Sequence, residues 1–206
     1  MSNRIFLYPI WIRLWHVFNA LLCLVLIVTG VSMQYSSPQN AIVAFGVAVD
    51  FHNICGILLT INYAIFLIGN AITPNGKFYI LKFKGFIERL MKQAMYYSFG
   101  IFKGEKAPFP VTEKRKFNPL QQFTYLMIMY FGVPLVILSG WLMLYPTAVL
   151  PLLTGLNGIM ITDIIHVIMG FFITIFLVIH VYFCTIGHTP VSNFKSMVNG
   201  WHDVHE

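Results

Sequence analysis

The sequence predicts an all-α integral membrane protein, a bundle of four transmembrane helices with one long loop between the second and third. Two observations support this fold class. Of the 206 residues, 58% are hydrophobic and 10% are charged, far from the composition of soluble globular proteins. The apolar residues also form four runs, each about as long as the ~20 residues that cross a membrane. The runs cover residues 12–33, 46–70, 120–145 and 160–187.

We expect one domain over residues 1–206, with a loop at 73–117 and a tail at 188–206. The first run is too long for a removable signal peptide, and no small-residue cleavage site follows it. We therefore interpret it as a permanent membrane helix.

The basic residues are distributed on one side of the predicted bundle. Ten of the 13 Lys and Arg residues lie between Lys77 and Lys116, and the segments 34–50 and 146–163 contain none. Because Lys and Arg accumulate in cytoplasmic loops, both termini and the long loop are predicted to be cytoplasmic. The net charge of +6 then reflects topology, and no nucleic-acid partner is expected.

Two histidines interrupt the fourth apolar run. His166 and His180 are 14 positions apart, which on an α-helix is roughly 21 Å of rise and about 40° of rotation. Ionisable side chains inside a membrane usually mark a pathway or a cofactor. Imidazole suits iron, and cofactor sites in bundles use side chains from facing helices. The spacing therefore indicates two stacked cofactors, each completed by a histidine from another helix.

Two other histidines have matching depths in the membrane. His16 lies about one turn inside the cytoplasmic end of the first helix, at the depth of His180, and His52 begins the second helix at the outer depth of His166. The cysteines form no C-x-x-C-H attachment motif, so any haem would be non-covalent. We therefore predict two bis-histidine b haems, with ligand and metal-binding pairs His16/His180 and His52/His166.

Three residues near these histidines are further candidates for cofactor binding. Arg13, on the face of His16, could bind a haem propionate or could equally be an interfacial arginine that extends to the membrane surface. Gly56 and Gly170 each follow an outer histidine at i+4, on the same helix face. They would leave space for a porphyrin, although glycine also serves helix packing.

The loop and the tail give weaker signals. A 3.6-residue period in the first half of the loop predicts an amphipathic helix, which would lie on the inner leaflet or contact a cytoplasmic partner. Residues 104–116 are expected to be irregular surface chain. Asn118 before Pro119 is typical of a helix N-cap, whereas Gln121 is expected to cap nothing. Three histidines of the tail are expected to be solvated: His188, His202 and His205.

Several of these motifs together resemble the di-haem cytochrome b subunits of the nickel-iron hydrogenase, formate dehydrogenase and thiosulfate reductase group. The matching residues are Arg13-x-x-His16, Thr29-Gly30, His52, Lys116-Phe-Asn-Pro-Leu-Gln121, and the His166/His180 spacing. The Pro-Leu at residues 119–120 is closer to the thiosulfate-reductase-like branch than to the formate dehydrogenases.

The resemblance implies the same two histidine pairs and a role in the cytoplasmic membrane of a bacterium or archaeon. Such subunits anchor a catalytic, iron-sulfur or multihaem partner, and they pass electrons between it and menaquinone or ubiquinone. The family binds quinone near the cytoplasmic haem, beside the residues that match Asn118 and Gln121. Membrane lipid is a further expected partner.

Three functions remain open from the sequence. The first is an electron-transfer subunit of a respiratory oxidoreductase, rather than an enzyme alone. The second is a stand-alone cytochrome b that oxidises superoxide or is linked to quinone in another way. The third is a haem-free transporter or scaffold in which the histidines relay protons.

Overall fold

The computed structural model describes residues 3–37, 40–149, 156–187 and 189–204. The α-helices in chain order are α1 Ile10–Tyr35, α2 Phe45–Ile72, α3 Phe86–Met95, α4 Pro119–Met127, α5 Val133–Leu144, α6 Pro146–Val149, α7 Leu156–Thr185 and α8 Ser192–Asn199. Two short strands, β1 Asn3–Phe6 and β2 Trp201–Val204, precede and follow them. The shorter helical turns are two of 3-10 type, Pro74–Tyr79 and Ile101–Lys103, and two of π type, Tyr96–Gly100 and Ile128–Gly132.

Four helices are long and apolar enough to cross a membrane. They are Ile10–Tyr35, Phe45–Ile72, Pro119–Leu144 and Gly158–Thr185, and we call them membrane helices 1 to 4. Membrane helix 3 comprises α4, the π turn after it and α5, and membrane helix 4 lies within α7. Because each span agrees with a predicted run to within a few residues, the prediction of a helical four-span membrane protein is confirmed.

Membrane helix 3 changes its winding in front of Pro134. Proline has no N–H to donate, and its ring clashes with the carbonyl four residues earlier. The π turn Ile128–Gly132 lies directly before this position, as expected where the regular hydrogen-bond ladder is interrupted. Tyr63 of membrane helix 2 donates its hydroxyl to the Met129 carbonyl at 2.8 Å. The irregular stretch before Pro134 is therefore a π turn that a hydrogen bond anchors to membrane helix 2.

Membrane helices 1 and 2 pack against each other, as do membrane helices 3 and 4. Polar groups buried between membrane helices 1 and 2 form hydrogen bonds with each other, because the membrane interior offers no water as a partner. Trp15 donates its indole N–H to the Asn62 carbonyl at 2.9 Å, and the Asn62 amide donates to Asn19 at 3.3 Å. The Trp15 ring stacks on Phe66 at 4.6 Å. These contacts fix the register of helix 1 on helix 2.

Both ends of the described chain meet at the end of the bundle where helix 1 begins and helix 4 ends, which we call the proximal end. There β1 and β2 pair antiparallel, and Arg4 forms an ion pair with Asp203 at 2.8 Å. The backbone N–H groups of Leu7 and Tyr8 donate to the Gly200 carbonyl. The sequence did not predict this two-stranded sheet, which adds to the helical bundle.

The tail is consequently more ordered than expected. His202 lies opposite Ile5 in the sheet, and its Nδ1 is 3.2 Å from the Ser196 hydroxyl. The expectation of a solvated His202 therefore holds only in part, because its side chain is half-buried and contacts Ser196. His188 and His205 lie outside the described residues.

The predicted amphipathic helix is present as α3 and the turns that follow. One side packs on the bundle through Phe86 against Phe123 and Tyr97 against Phe183, with ring centroids 5.6 and 4.7 Å apart. A row of large apolar side chains on this segment is exposed: Ile87, Met91, Met95, Phe99 and Phe102. The segment therefore lies along the proximal end with an apolar row facing outward.

Candidate functional site: two pairs of histidines

Membrane helix 4 places one histidine in each of two pairs. The ring centroid of His180 is 6.1 Å from that of His16 on helix 1, and we call these two the proximal pair. The ring centroid of His166 is 6.1 Å from that of His52 on helix 2, and these two are the distal pair. The structure therefore brings together the partners that sequence depth predicted.

Each imidazole of the distal pair contacts a hydroxyl group through Nδ1. Thr29 Oγ1 is 2.9 Å from His52 Nδ1, and Ser139 Oγ is 3.0 Å from His166 Nδ1. Each hydroxyl is also 2.7 Å from the backbone carbonyl four residues earlier. Because a hydroxyl has one proton to donate and the carbonyl can only accept it, the oxygen accepts a hydrogen bond from Nδ1–H.

This arrangement fixes the tautomer of both distal histidines. With the proton on Nδ1, each neutral ring keeps a lone pair on Nε2. A neutral imidazole whose other nitrogen is hydrogen-bonded is the usual metal ligand in proteins. His52 and His166 are therefore prepared to coordinate a metal through Nε2.

Glycines at two positions let a helix approach the distal rings. A Cβ added to Gly30 would lie 3.4 Å from His52 Cε1, and one added to Gly140 would lie 3.2 Å from His166 Cε1. By contrast, a Cβ added to Gly56 or Gly170 would meet no described atom within 4 Å. These two glycines therefore mediate no close helix contact with the described residues, and they leave space beside the distal histidines.

The proximal pair has a different environment. Tyr125 places its hydroxyl 3.3 Å from His180 Nδ1, and the Phe176 ring stacks on His180 at 5.5 Å. The sulfur of Cys184 lies 3.7 Å from His180 Nε2. A phenol can donate or accept a hydrogen bond. The Tyr125 hydroxyl therefore does not fix the tautomer of His180, whereas the hydroxyls beside the distal histidines do fix theirs.

The distance within each pair fits a metal bound between two imidazoles. Bonds of about 2 Å from a first-row metal to two opposite nitrogens place the ring centroids about 6 Å apart, and both observed distances are 6.1 Å. In the described part of the chain no three His, Cys, Asp or Glu side chains are grouped to hold a metal ion. Two imidazoles suit iron whose other ligands come from a macrocycle such as haem.

Arg13 makes a contact that neither sequence interpretation included. Its guanidinium donates to the Val198 carbonyl in the C-terminal segment, while its Nε is buried without a hydrogen-bond partner among the described residues. Arg13 therefore fastens helix 1 to the tail.

Asn118 caps membrane helix 3, as its position before Pro119 suggested. Its side-chain oxygen accepts from the Gln121 N–H at 2.9 Å, and its amide donates to the Tyr97 hydroxyl at 2.8 Å. The expectation that Gln121 caps nothing is wrong, because its side-chain oxygen accepts from the Asn118 N–H at 3.2 Å. The two residues form a reciprocal capping box.

The sequence interpretation missed the environment of Lys116. The side chain is only 3% exposed, although it ends a segment that was expected to be surface chain. Its ammonium donates to Asn75 Oδ1 at 2.9 Å and lies 4.4 Å from the centre of the Tyr8 ring. Because Tyr8 and Asn75 are distant in the sequence, no local pattern signals this burial.

Comparison with known proteins agrees with this geometry. The family model described as "Prokaryotic cytochrome b561" matches residues 7–200, which include all four membrane helices. The chain is 41% identical over 201 residues to "Putative cytochrome YdhU" of Escherichia coli (strain K12), covering 98% of this chain and 76% of that protein. No solved structure matches the chain. The chain therefore belongs to the prokaryotic cytochrome b561 family of membrane proteins.

Proposed function

We propose that this chain is a membrane-anchoring di-haem cytochrome b subunit that transfers electrons between a redox partner and the quinone pool. The observation that carries the proposal is the presence of two histidine pairs, each with ring centroids 6.1 Å apart. Within helix 4 the two ligand positions are separated by roughly 21 Å of rise. That distance covers most of a hydrocarbon core about 30 Å thick.

His16 and His180 would hold one haem b, and His52 and His166 the other. Haem b, when bound, supplies a one-electron couple at its iron. Thr29 and Ser139 keep the distal imidazoles neutral and oriented, so that their Nε2 lone pairs are available. The open space beside Gly56 and Gly170 would accommodate the ring. The buried Nε of Arg13 is available for a propionate of the proximal haem.

We place the proximal end in the cytoplasm. The ten Lys and Arg residues between Lys77 and Lys116 lie in the segment that joins the proximal ends of helices 2 and 3, which the distribution of basic residues in membrane proteins favours. The exposed apolar row of the α3 segment would then enter the inner leaflet, with basic side chains beside it at the lipid head groups.

We place the quinone site at the same end, beside Asn118 and Gln121. An amide pair can both donate and accept, which suits a head group that alternates between carbonyl and hydroxyl. Because the Asn118 amide already donates to Tyr97, a quinone oxygen would replace or share the Tyr97 hydroxyl. Tyr97 thereby joins the proposed site. The Pro-Leu at residues 119–120 supports the thiosulfate-reductase-like branch.

Haem content and its loss in variants test the proposal. Extraction into pyridine should give two non-covalent haems per chain. His16→Ala and His180→Ala should lose the same component of the reduced-minus-oxidised spectrum, whereas His52→Ala and His166→Ala should lose the other. A haem content near one, or loss of the same component from His16→Ala and His52→Ala, would refute the pairing.

His202→Ala is the matched control, because His202 lies in the terminal sheet rather than in either pair and its replacement should retain both haems. Copurification in mild detergent tests the electron-transfer role. A redox partner that copurifies supports a subunit. A monomeric protein that reduces quinone with superoxide as donor would instead identify a self-sufficient enzyme.

A further inference from the structure

Lys116 is a buried cation without an anionic partner in the described structure. Its ammonium lies over three aromatic rings, at 4.4 Å from Tyr8, 5.6 Å from Phe117 and 5.7 Å from Phe78. Within the described residues the one ion pair joins Arg4 and Asp203, so no carboxylate compensates Lys116. Aromatic faces attract a cation, but they offset only part of the several kcal/mol that burial of an unpaired charge costs.

The hydrogen bonds around Lys116 are compatible with both of its protonation states. Asn75 donates its amide to Asn70 Oδ1 at 2.7 Å, and Asn70 donates to the Phe66 carbonyl at 3.0 Å. These two hydrogen bonds fix the orientation of the Asn75 side chain, so its amide oxygen faces the Lys116 nitrogen. A neutral amine has N–H groups as an ammonium has, so Lys116 can lose a proton and still donate to Asn75.

Neighbouring side chains connect Lys116 with a cleft at the proximal end and with the proximal histidines. A cleft of about 230 Å³ is lined by Asn75, Phe78 and Glu113 among others. Asn75 accepts a hydrogen bond from the Lys116 nitrogen, and the centre of the Phe78 ring lies 5.7 Å from it. On the other side, Phe117, whose ring centre is 5.6 Å from the Lys116 nitrogen, packs against Tyr125 at 5.0 Å. Tyr125 in turn packs against His180 at 5.7 Å. A proton could therefore reach Lys116 from the cleft. A change of charge at the proximal pair would change the proton affinity of Lys116.

We propose that Lys116 is a redox-linked protonation site, which binds a proton from the proximal solvent when an electron enters the haem held by His16 and His180. This inference rests on the proposed function. The balance is one electron, supplied by the redox partner, and one proton, supplied by water in the cleft. The proton forms an N–H bond on the neutral Lys116 amine, no other bond changes, and oxidation reverses both transfers.

The neighbouring titratable groups leave Lys116 as the group that changes charge near neutral pH. Burial lowers the pKa of Lys116 to about 8, raises the pKa of Tyr8 to about 12 and raises the pKa of Tyr79, which packs against Phe117. The other charged groups near Lys116 are Glu113 and Lys77, which line the cleft, and Lys77 lies 5.0 Å from the centre of the Phe78 ring. Lys116 is therefore charged below pH 8 and increasingly neutral above it, and a nearby electron favours the charged form.

The test is a potentiometric titration of both haems between pH 6 and pH 10. In the unaltered protein the midpoint potential of the proximal haem should fall with rising pH above about 8, approaching one proton per electron. Lys116→Met should lose this dependence and should have a lower proximal potential below pH 8. Lys116→Arg keeps the charge, so it should keep the potential and show no change of slope up to pH 10. The distal haem is the internal reference.

Asn75→Asp provides a variant that leaves Lys116 in place. A carboxylate beside the ammonium should stabilise its charged form, which would move the pH dependence to higher pH. An unchanged pH dependence in Lys116→Met would overturn the inference, as would its absence from the unaltered protein. If Lys116→Met fails to fold, Lys116→Arg and Asn75→Asp still decide the question. Detection of fewer than two redox components would instead refute the proposed function.

Discussion

Removal of the hydroxyls that hold the distal histidines should raise the midpoint potential of one haem and leave the other unchanged. Oxidised iron withdraws more electron density from its ligands than reduced iron does, so the Nδ1–H of a bound imidazole is a better donor in the oxidised state. Thr29 and Ser139 accept from these N–H groups and therefore favour the oxidised form. Thr29→Val and Ser139→Ala should make reduction easier.

The size of the shift follows from the strength of one hydrogen bond. A net contribution of about 0.5–1.5 kcal/mol, of which only the difference between the two redox states counts, sets an upper limit. One tenfold change in a one-electron equilibrium is about 59 mV, so each hydroxyl should contribute at most roughly 20–65 mV. The two hydroxyls contact different ligands, and the double variant should show approximately the sum.

Potentiometric titration followed by visible absorption measures both haems in one sample. Thr29→Ser keeps a hydroxyl and should restore the potential. Thr174→Val is the matched control, because Thr174 also donates to the carbonyl four residues earlier, at 2.8 Å, on the helix that carries both His166 and His180. An equal shift of both haems, or a shift of similar size in Thr174→Val, would show that the hydroxyls act through general packing and would refute the tautomer argument.

Three further predictions concern the space beside the distal pair, the cap and the termini. Gly56→Leu should reduce the distal haem content measured by absorption, whereas Gly46→Leu, on the same helix and also facing open space, should not. Asn118→Ala should lower the free energy of unfolding by about 0.5–2 kcal/mol in denaturant titrations, and Asn118→Ser should recover most of it while still slowing oxidation of haem by quinone. Asp203→Ala should cost less than about 1 kcal/mol, since the pair with Arg4 is exposed, and this loss should vanish in high salt.

The parts of the fold that the sequence predicted depend on composition and on position along a helix. Apolar runs of membrane length identify helices without knowledge of their neighbours. The depth of a histidine follows from its distance to the helix end, and this was enough to predict the partners of His166 and His180. The capping box of Asn118 and Gln121 was also present in the sequence as an Asn-x-x-Gln spacing, and only its second half was overlooked.

The remaining features depend on contacts between distant segments. Thr29 and Ser139 look like ordinary helical hydroxyls that bond to their own backbone, and only the packing of two helices brings them to an imidazole. Lys116 is buried because Asn75, 41 residues away, and the still more distant Tyr8 enclose it. The terminal sheet pairs two strands of four residues each, too short for an alternating pattern to be distinctive.

The contacts between the two ends of the described chain have a consequence for the affinity of the proximal site for haem. His16 and His180 belong to the first and last membrane helices, so no short loop holds them together, and the conformational entropy lost in closing the long intervening chain opposes their pairing. The strand pair and the bond from Arg13 to Val198 hold the two ends of that chain together and so offset part of this entropy cost. The proximal pair therefore loses less conformational entropy on forming than the length of the intervening chain implies. The affinity of the proximal site for haem should consequently depend on terminal residues that never contact the haem.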